Sequence, residues 1–362
     1  MYRFKTETDY EKVAITGAGY ISGRVLKVER LPGIFNPRSA IQTKVDELVS
    51  QDILKKYTGI SDYVKYGYLA ASKACQNKII EIPEQWGIYS GTGFGGSTEV
   101  YIKQCNTYYE KGLSWMLPSM VMNKVAKTTA DILSIEYQIK GKSHTVLAGR
   151  ASTGMALMQA YDDILSNEIT HALAVGAEAM DGYLKEACTR MEYPVSNLCS
   201  GGGALVLCNR EKAEIRNIYA FLNACECSSV YRNENNPANA EVLSDAIDVV
   251  IQKALNKANL AAGDIDCVVY GKTCNEKVDC DVMNIIKKRF NKYECSFYCM
   301  TDNLGDMLGL NPLLTILTSL SIMKGRITII DTKPLKNMKF FLCLIYGSGG
   351  QVCTFIVENA AA

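Results

Sequence analysis

The run HTVLAGRASTGMALMQAYDDILSNEITHALAVGAEAM, residues 144–180, holds a strand, a turn, a helix and a second strand in immediate succession. HTVLAG (144–149) is a short apolar run that ends in glycine, the pattern of a buried strand stopped by a tight turn. The segment 152–166 follows with Met155, Leu157, Met158, Ala160, Tyr161 and Leu165, apolar over so much of a 3.6-residue period that the helix is expected to be buried on most sides. HALAVGAEAM (171–180) then returns as a second apolar run of strand length. This alternation predicts helices layered on a mixed sheet.

Outward from this centre the alternation continues. VAITGAGYIS (13–22) and WGIYSGTGF (86–94) read as further strands. SGGGALVLCNREKA (200–213) and GSGGQVCTFIVENA (347–360) read alike, each a glycine cluster feeding an apolar strand with a charged tail. Their separation, close to half the chain, points to a duplicated unit. We expect halves at 1–212 and 213–362, forming one compact unit. The second half repeats the logic with DCVVYGK (266–272), a dense apolar helix over 311–323 and RITIIDT (326–332). Between the halves, NENNPANAE (233–241) is polar and contains proline, and reads as a surface loop that opens a helix at Ala240.

Composition narrows the function. The 362 residues are 48% hydrophobic and 21% charged, with 39 Lys plus Arg against 38 Asp plus Glu. Such a chain makes ordinary globular cores and has no overall field to draw nucleic acid or an anionic membrane. The N-terminal MYRFKTETDYEK carries charge where a signal peptide would need an apolar core, and no apolar run approaches a bilayer span, so a cytoplasmic location is expected. The 14 cysteines are scattered; the close pairs are Cys225 with Cys227 and Cys295 with Cys299, and no CxxC occurs. That spacing argues against a structural zinc site and for small buried hydrophobes in a reducing compartment. The only two histidines, His144 and His171, each lead an apolar strand, so a two-histidine site is not expected anywhere in the chain.

Several segments, in order and spacing, resemble the ketosynthase branch of the thiolase-fold superfamily over nearly the whole chain. GTGFGG (91–96) resembles the family's glycine-rich stretch, and PSMVMNKVAKTTADILSIEYQIKGKSHTV (118–146) the approach to its nucleophile. Residues 148–180 resemble the nucleophile elbow with its helix and following strand. VVYGKT (268–273) and TDNLGDMLG (301–309) resemble the two histidine motifs, and YGSGG (346–350) the closing loop. The resemblance implies an α/β, duplicated thiolase-like fold, layered α-β-α-β-α with two mixed five-stranded sheets. It implies no cofactor and no metal.

The family's chemistry needs a cysteine on a turn at a helix N-terminus, where the dipole and backbone amides favour a thiolate and an oxyanion. Here that position reads Arg150, which offers no nucleophile for a thioester. The two catalytic histidines fall on Tyr270 and Asp306, and the lysine supporting the second falls on Thr301. All three catalytic side chains are therefore degenerate. Arg150 is expected to fill the dead pocket by pairing with Asp306 or another carboxylate, with the Tyr270 hydroxyl joining that network. In the loop Gly347, Ser348, Gly349, Gly350, Ser348 stands where the family has its gating aromatic.

The resemblance extends to a role. Chain length factors, or beta ketosynthases, are silent members of this superfamily that form heterodimers with an active ketosynthase in type II polyketide systems. The active subunit condenses units from an acyl carrier protein; the silent one supports it and bounds the chain. Interface or tunnel candidates are Phe94, Trp115, Met116, Pro118, Met120 and Val121, apolar and adaptable residues that need cover. An aromatic polyketide product is favoured over an aryl polyene. Rival readings are an active acyltransferase using a non-standard cysteine such as Cys188 or Cys199, a vestigial malonyl decarboxylase using Arg150, and a homodimeric structural or regulatory protein.

Overall fold

The computed structural model describes residues 12–22, 29–30, 49–57, 59–76, 80–95, 98–116, 125–190, 197–214, 217–230, 240–273, 275–327, 338–347 and 349–361. The apolar runs become β1 (Val13–Ser22), β2 (Glu29–Arg30), β3 (Trp86–Gly91), β4 (Ser143–Val146), β5 (His171–Glu178), β6 (Gly201–Asn209), β7 (Ala220–Ser229), β8 (Cys267–Tyr270), β9 (Ser296–Cys299), β10 (Phe340–Tyr346) and β11 (Gln351–Asn359). The helices are α1 (Gln51–Lys56), α2 (Asp62–Ala74), α3 (Thr98–Lys111), α4 (Thr128–Tyr137), α5 (Ser152–Leu165), α6 (Gly182–Arg190), α7 (Ala240–Lys257), α8 (Glu276–Phe290), α9 (Met300–Leu304) and α10 (Asn311–Met323).

The strands hydrogen-bond in the order β4-β3-β5-β6-β1-β7-β11-β10-β8-β9, with β2 beside β1. Set β2 aside and divide the path between β1 and β7. Each block then runs, from its outer edge inward, through its third, second, fourth, fifth and first strand. The three outer strands of each block are mutually parallel and the inner ones antiparallel. The same order and the same sense thus occur twice.

The two sheets expected to be separate are in fact joined. β1 and β7 pair through Val13↔Leu222, Ala14↔Phe221 and Ile15↔Ala220, because the inner edges of both blocks would otherwise bury unpaired backbone groups. Immediately beyond, β1 bulges between Ile15 and Gly17, and a bulge bends its strand.

The layers follow from which face is apolar. Leu157, Ala160, Tyr161 and Ile164 of α5 and Leu313, Leu314, Ile316 and Leu317 of α10 form one cluster with Leu205, Val269, Phe341 and Phe355 from both blocks. Each such fully buried aliphatic side chain contributes about 1.5–3 kcal/mol of transfer free energy. Polar residues inside α10 are satisfied by its own backbone, Thr315 Oγ1 donating to Pro312 O at 2.7 Å and Ser319 Oγ to Thr315 O at 2.9 Å. On the outer faces, Ala70, Ala71 and Ala74 of α2 cover Ile88, Leu173 and Val175, while Ile247, Ile251, Val282 and Ile286 of α7 and α8 cover Val268, Leu342 and Leu344. The result is α-β-α-β-α.

One local expectation changes. The glycines of SGGGALVL lie inside β6 rather than in a turn before it. A Cβ at Gly202 would sit 2.3 Å from Tyr66 O, so α2 rides directly on the strand backbone. Of RITIIDT, Arg326 and Ile327 follow α10 and residues 328–337 lie outside the described residues; FFLCLIY, β10, pairs parallel to β8. The loop 233–241 lies outside the described residues as far as 239, and α7 begins at Ala240. Among the described residues, no helix is long and apolar enough to cross a membrane.

Candidate functional site

Gly149 takes φ +53° and turns the chain from β4 into a single 3₁₀ turn, Gly149–Ala151, that runs on as α5. A residue with a Cβ is disfavoured at that φ. The end of β3 packs under the turn so tightly that a Cβ at Gly91 would lie 2.5 Å from Thr153 N. Ser152 Oγ donates to Gly149 O at 2.7 Å and accepts the Ala148 N–H at 2.9 Å, tying the turn together.

Arg150 occupies this turn and is 7% exposed. A cation at a helix N-terminus is opposed by the helix dipole, and burial adds to that cost, so the guanidinium needs an anion. Asp306, fully buried, supplies it: Arg150 Nη1 is 2.6 Å from Asp306 Oδ2, and Nη2 donates to Lys272 O. The other carboxylate oxygen, Oδ1, accepts from Leu308 N at 2.9 Å and Asn311 Nδ2 at 2.8 Å. The aspartate backbone is pinned as well, its N–H donating to Asn197 O at 2.7 Å and its carbonyl accepting the Cys199 N–H at 2.8 Å.

Thr301 belongs to the same chain of contacts. Its Oγ1 accepts the Lys272 N–H at 2.9 Å, Lys272 Nζ pairs with Asp302 at 2.8 Å, and the Lys272 carbonyl binds Arg150. The closing loop packs on the arginine too, since a Cβ at Gly347 would lie 3.5 Å from Arg150 Cβ. Gly347 and Gly350 bond across the turn, with Gly350 at φ +86°. Ser348 lies outside the described residues.

Tyr270 does not join this network, contrary to expectation. It packs with Val268, Leu344 and Tyr346 in the outer cluster, whereas its neighbour Val269 faces the central helices. Burial, with nearby Cys299 and Asp302, pushes its hydroxyl pKa well above the usual range. A residue on β8 turns to one face or the other by its place in a two-residue period, and Tyr270 falls on the outer face.

Several relations were not visible in the sequence. Glu178, at the end of β5, is fully buried and its Oε1 accepts the Gly93 N–H of the glycine-rich stretch. Burial, only partly offset by backbone amides of Gly93, Phe94 and Gly309, raises its pKa to about 7. Cys188 and Cys199 are not on the elbow, yet Cys199 is bound to Asp306 through the backbone bond above, and the Cys188 thiol is pushed up by burial and, to a lesser degree, by the Asp306 charge. His171 stacks on Trp86 at 4.6 Å and places Nε2 3.2 Å from Cys208 Sγ. Cys208 is 1% exposed, and the pair sits at the opposite end of the strands from the elbow, five residues or roughly 17 Å along β5 from Gly176. His144 lies in β4, stacked on Tyr89 at 5.4 Å. Among the described residues, no group of three or more His, Cys, Asp or Glu is placed to hold a metal.

Of the interface candidates, Phe94 is 43% and Trp115 63% exposed, Met116 is half-buried, and Leu113 beside them is 73% exposed. Pro118, Met120 and Val121 lie outside the described residues.

Two packed central helices between repeated five-strand blocks, with a glycine elbow at the start of α5, define the thiolase-like ketosynthase fold. Residues 35–192 match the model of the beta-ketoacyl synthase N-terminal domain. A beta-ketoacyl synthase from Burkholderia phymatum superposes with TM-score 0.76 at 19% identity, over 96% of this chain and 99% of that one. The ishigamide ketosynthase/chain length factor superposes with TM-score 0.74 at 14% identity, over 96% and 99%. AntDE:AntF, a type II polyketide synthase acyl-carrier protein in complex with its ketosynthase bound to the hexaketide, gives TM-score 0.73 at 17% identity, over 96% and 99%. No curated protein matches the chain in sequence.

Proposed function

We propose that this chain is a non-catalytic chain length factor, pairing with an active ketosynthase in a type II polyketide synthase. It meets the acyl carrier protein through that complex in the cytoplasm and limits the length of the growing chain. The observation that carries this reading is the Arg150–Asp306 pair, 2.6 Å apart, at the helix start where the family places its nucleophile. A guanidinium locked onto a buried carboxylate can neither attack a thioester nor exchange protons near neutral pH. The pair also argues against the vestigial decarboxylase, because a malonyl carboxylate would have to displace Asp306 from Arg150, and ground-state gripping of a carboxylate does not speed its loss.

The partner reading rests on the surface. β4 is an outer edge strand that pairs with β3 alone among the described strands, and Leu147 just beyond it is 59% exposed. An open edge strand, with Leu113 and Trp115 exposed elsewhere on the chain, fits surfaces that a second ketosynthase-like subunit covers. The product is proposed to be an aromatic polyketide, with an aryl polyene the other option, and the chain to be one compact unit of halves 1–212 and 213–362. Co-expression with an active ketosynthase and carrier protein tests this: Arg150→Ala should leave product yield and chain length unchanged, and a loss of product from a folded, paired variant would contradict it.

A further inference from the structure

Cys227 of β7 and Cys353 of β11 are direct cross-strand partners in the antiparallel pair, and their Sγ atoms are 3.1 Å apart. A disulfide needs about 2.05 Å, so roughly 1 Å of closure separates the two thiols from a bond, on a register that already places their side chains on one face. Their environments differ. Cys227 is half-buried, while Cys353 is fully buried, with its Sγ 3.9 Å from Ala151 O beneath the elbow. The arrangement is that of a half-buried thiol with a fully buried resolving thiol behind it.

We propose that Cys227 and Cys353 form a peroxide-responsive dithiol, in which the half-buried Cys227 is oxidised first and the buried Cys353 resolves it to a cross-strand disulfide. In the first step the Cys227 thiolate attacks a peroxide oxygen. An S–O bond forms, the O–O bond breaks, and the departing hydroxide takes a proton to become water. In the second, Cys353 sulfur attacks the Cys227 sulfenic acid. The S–S bond forms, the S–O bond breaks, and hydroxide leaves with the Cys353 proton as water. One hydrogen peroxide is reduced to two waters as two thiols become one disulfide.

Hydrogen bonding from the neighbouring Cys225 and Cys353 thiols draws the Cys227 pKa down, which favours the attacking thiolate. Cys225 is the competing partner. It lies two residues away on the same strand, about 6.7 Å between Cα atoms, at the upper limit that a disulfide tolerates. Cys353 is therefore the better placed. The bond would tie β7 to β11 directly under α5, where a Cβ at Gly154 would lie only 2.5 Å from Cys353 Sγ.

The test uses the full chain exposed to hydrogen peroxide, followed by alkylation of remaining thiols and peptide mapping. The expected result is a reducible peptide joining the Cys227 and Cys353 segments, formed at least about 10-fold faster than oxidation of the exposed Cys105 and Cys280. In Cys353→Ser, dimedone should trap sulfenic acid on Cys227; in Cys227→Ser, Cys353 should stay reduced. The wild-type map needs no variant to fold. A Cys225–Cys227 link, or oxidation of Cys105 and Cys280 while Cys227 stays alkylatable, would overturn the proposal.

Discussion

Asp306→Ala puts the site's electrostatics to a quantitative test. The substitution removes the anion 2.6 Å from a guanidinium that is 7% exposed, leaving Lys272 O as the remaining acceptor identified for it. Breaking a buried pair by deleting one partner costs about 3–5 kcal/mol. The Leu308 N–H and the Asn311 amide also lose their acceptor, at about 1 kcal/mol or more each, which places the expected loss at the upper end of that range. With an unfolding entropy of about 2.1 cal/mol/K per residue, a chain of 362 residues loses about 1.3 °C in Tm per kcal/mol, so it should fall by roughly 5–7 °C, read by circular dichroism at pH 7. The control is Arg150→Met with Asp306→Leu. Replacing both charges by apolar side chains removes the unpaired cation, and such swaps of a whole pair are often neutral, so the double variant should recover more than half of the loss. A drop under about 2 °C for Asp306→Ala, or a double variant as unstable as the single one, would refute the argument.

Other outcomes follow from the same geometry. Glu178 has its folded-state pKa raised from 4.5 to about 7. Its folded form therefore holds a proton that the unfolded chain has released, and stability from this group is fully present below pH 4.5, declines as pH rises through 7 and is flat beyond. Glu178→Gln should flatten denaturant-unfolding stability across that window, which amounts to as much as about 3 kcal/mol; an unchanged pH profile would be the failing result. Gly91→Ala forces a Cβ to within 2.5 Å of Thr153 N and should cost about 1–3 kcal/mol by overpacking the elbow, seen as a lower Tm. Trp115→Ala should weaken association with the proposed ketosynthase partner by more than about 1 kcal/mol in a titration while leaving the Tm of the isolated chain unchanged.

The central helices, their flanking strands and the elbow were legible because dense apolar runs bounded by glycine have few other fates. The 311–323 helix and β1 carry the very limits that the sequence pattern implies. What was not legible depended on register. Tyr270 faces away from Arg150 by a single step in a two-residue period, and the Cys227–Cys353 and His171–Cys208 contacts exist because particular residues of separate strands come opposite one another. Glu178 carried no local signal, being one acid at the end of an apolar strand whose role arises from the Gly93 amide brought over it by the fold. β10 was missed because FFLCLIY follows a stretch whose own β-branched run, RITIIDT, reads as the stronger strand.

The claim that this chain performs no acyl chemistry is tested most directly by intact-mass measurement of each subunit after the proposed heterodimer, reconstituted with an active ketosynthase, is incubated with an acyl thioester. The account predicts a stoichiometric acyl adduct on the active ketosynthase and none on this chain. An adduct on this chain, mapped to Cys188, Cys199, Cys208 or any other cysteine, would contradict it.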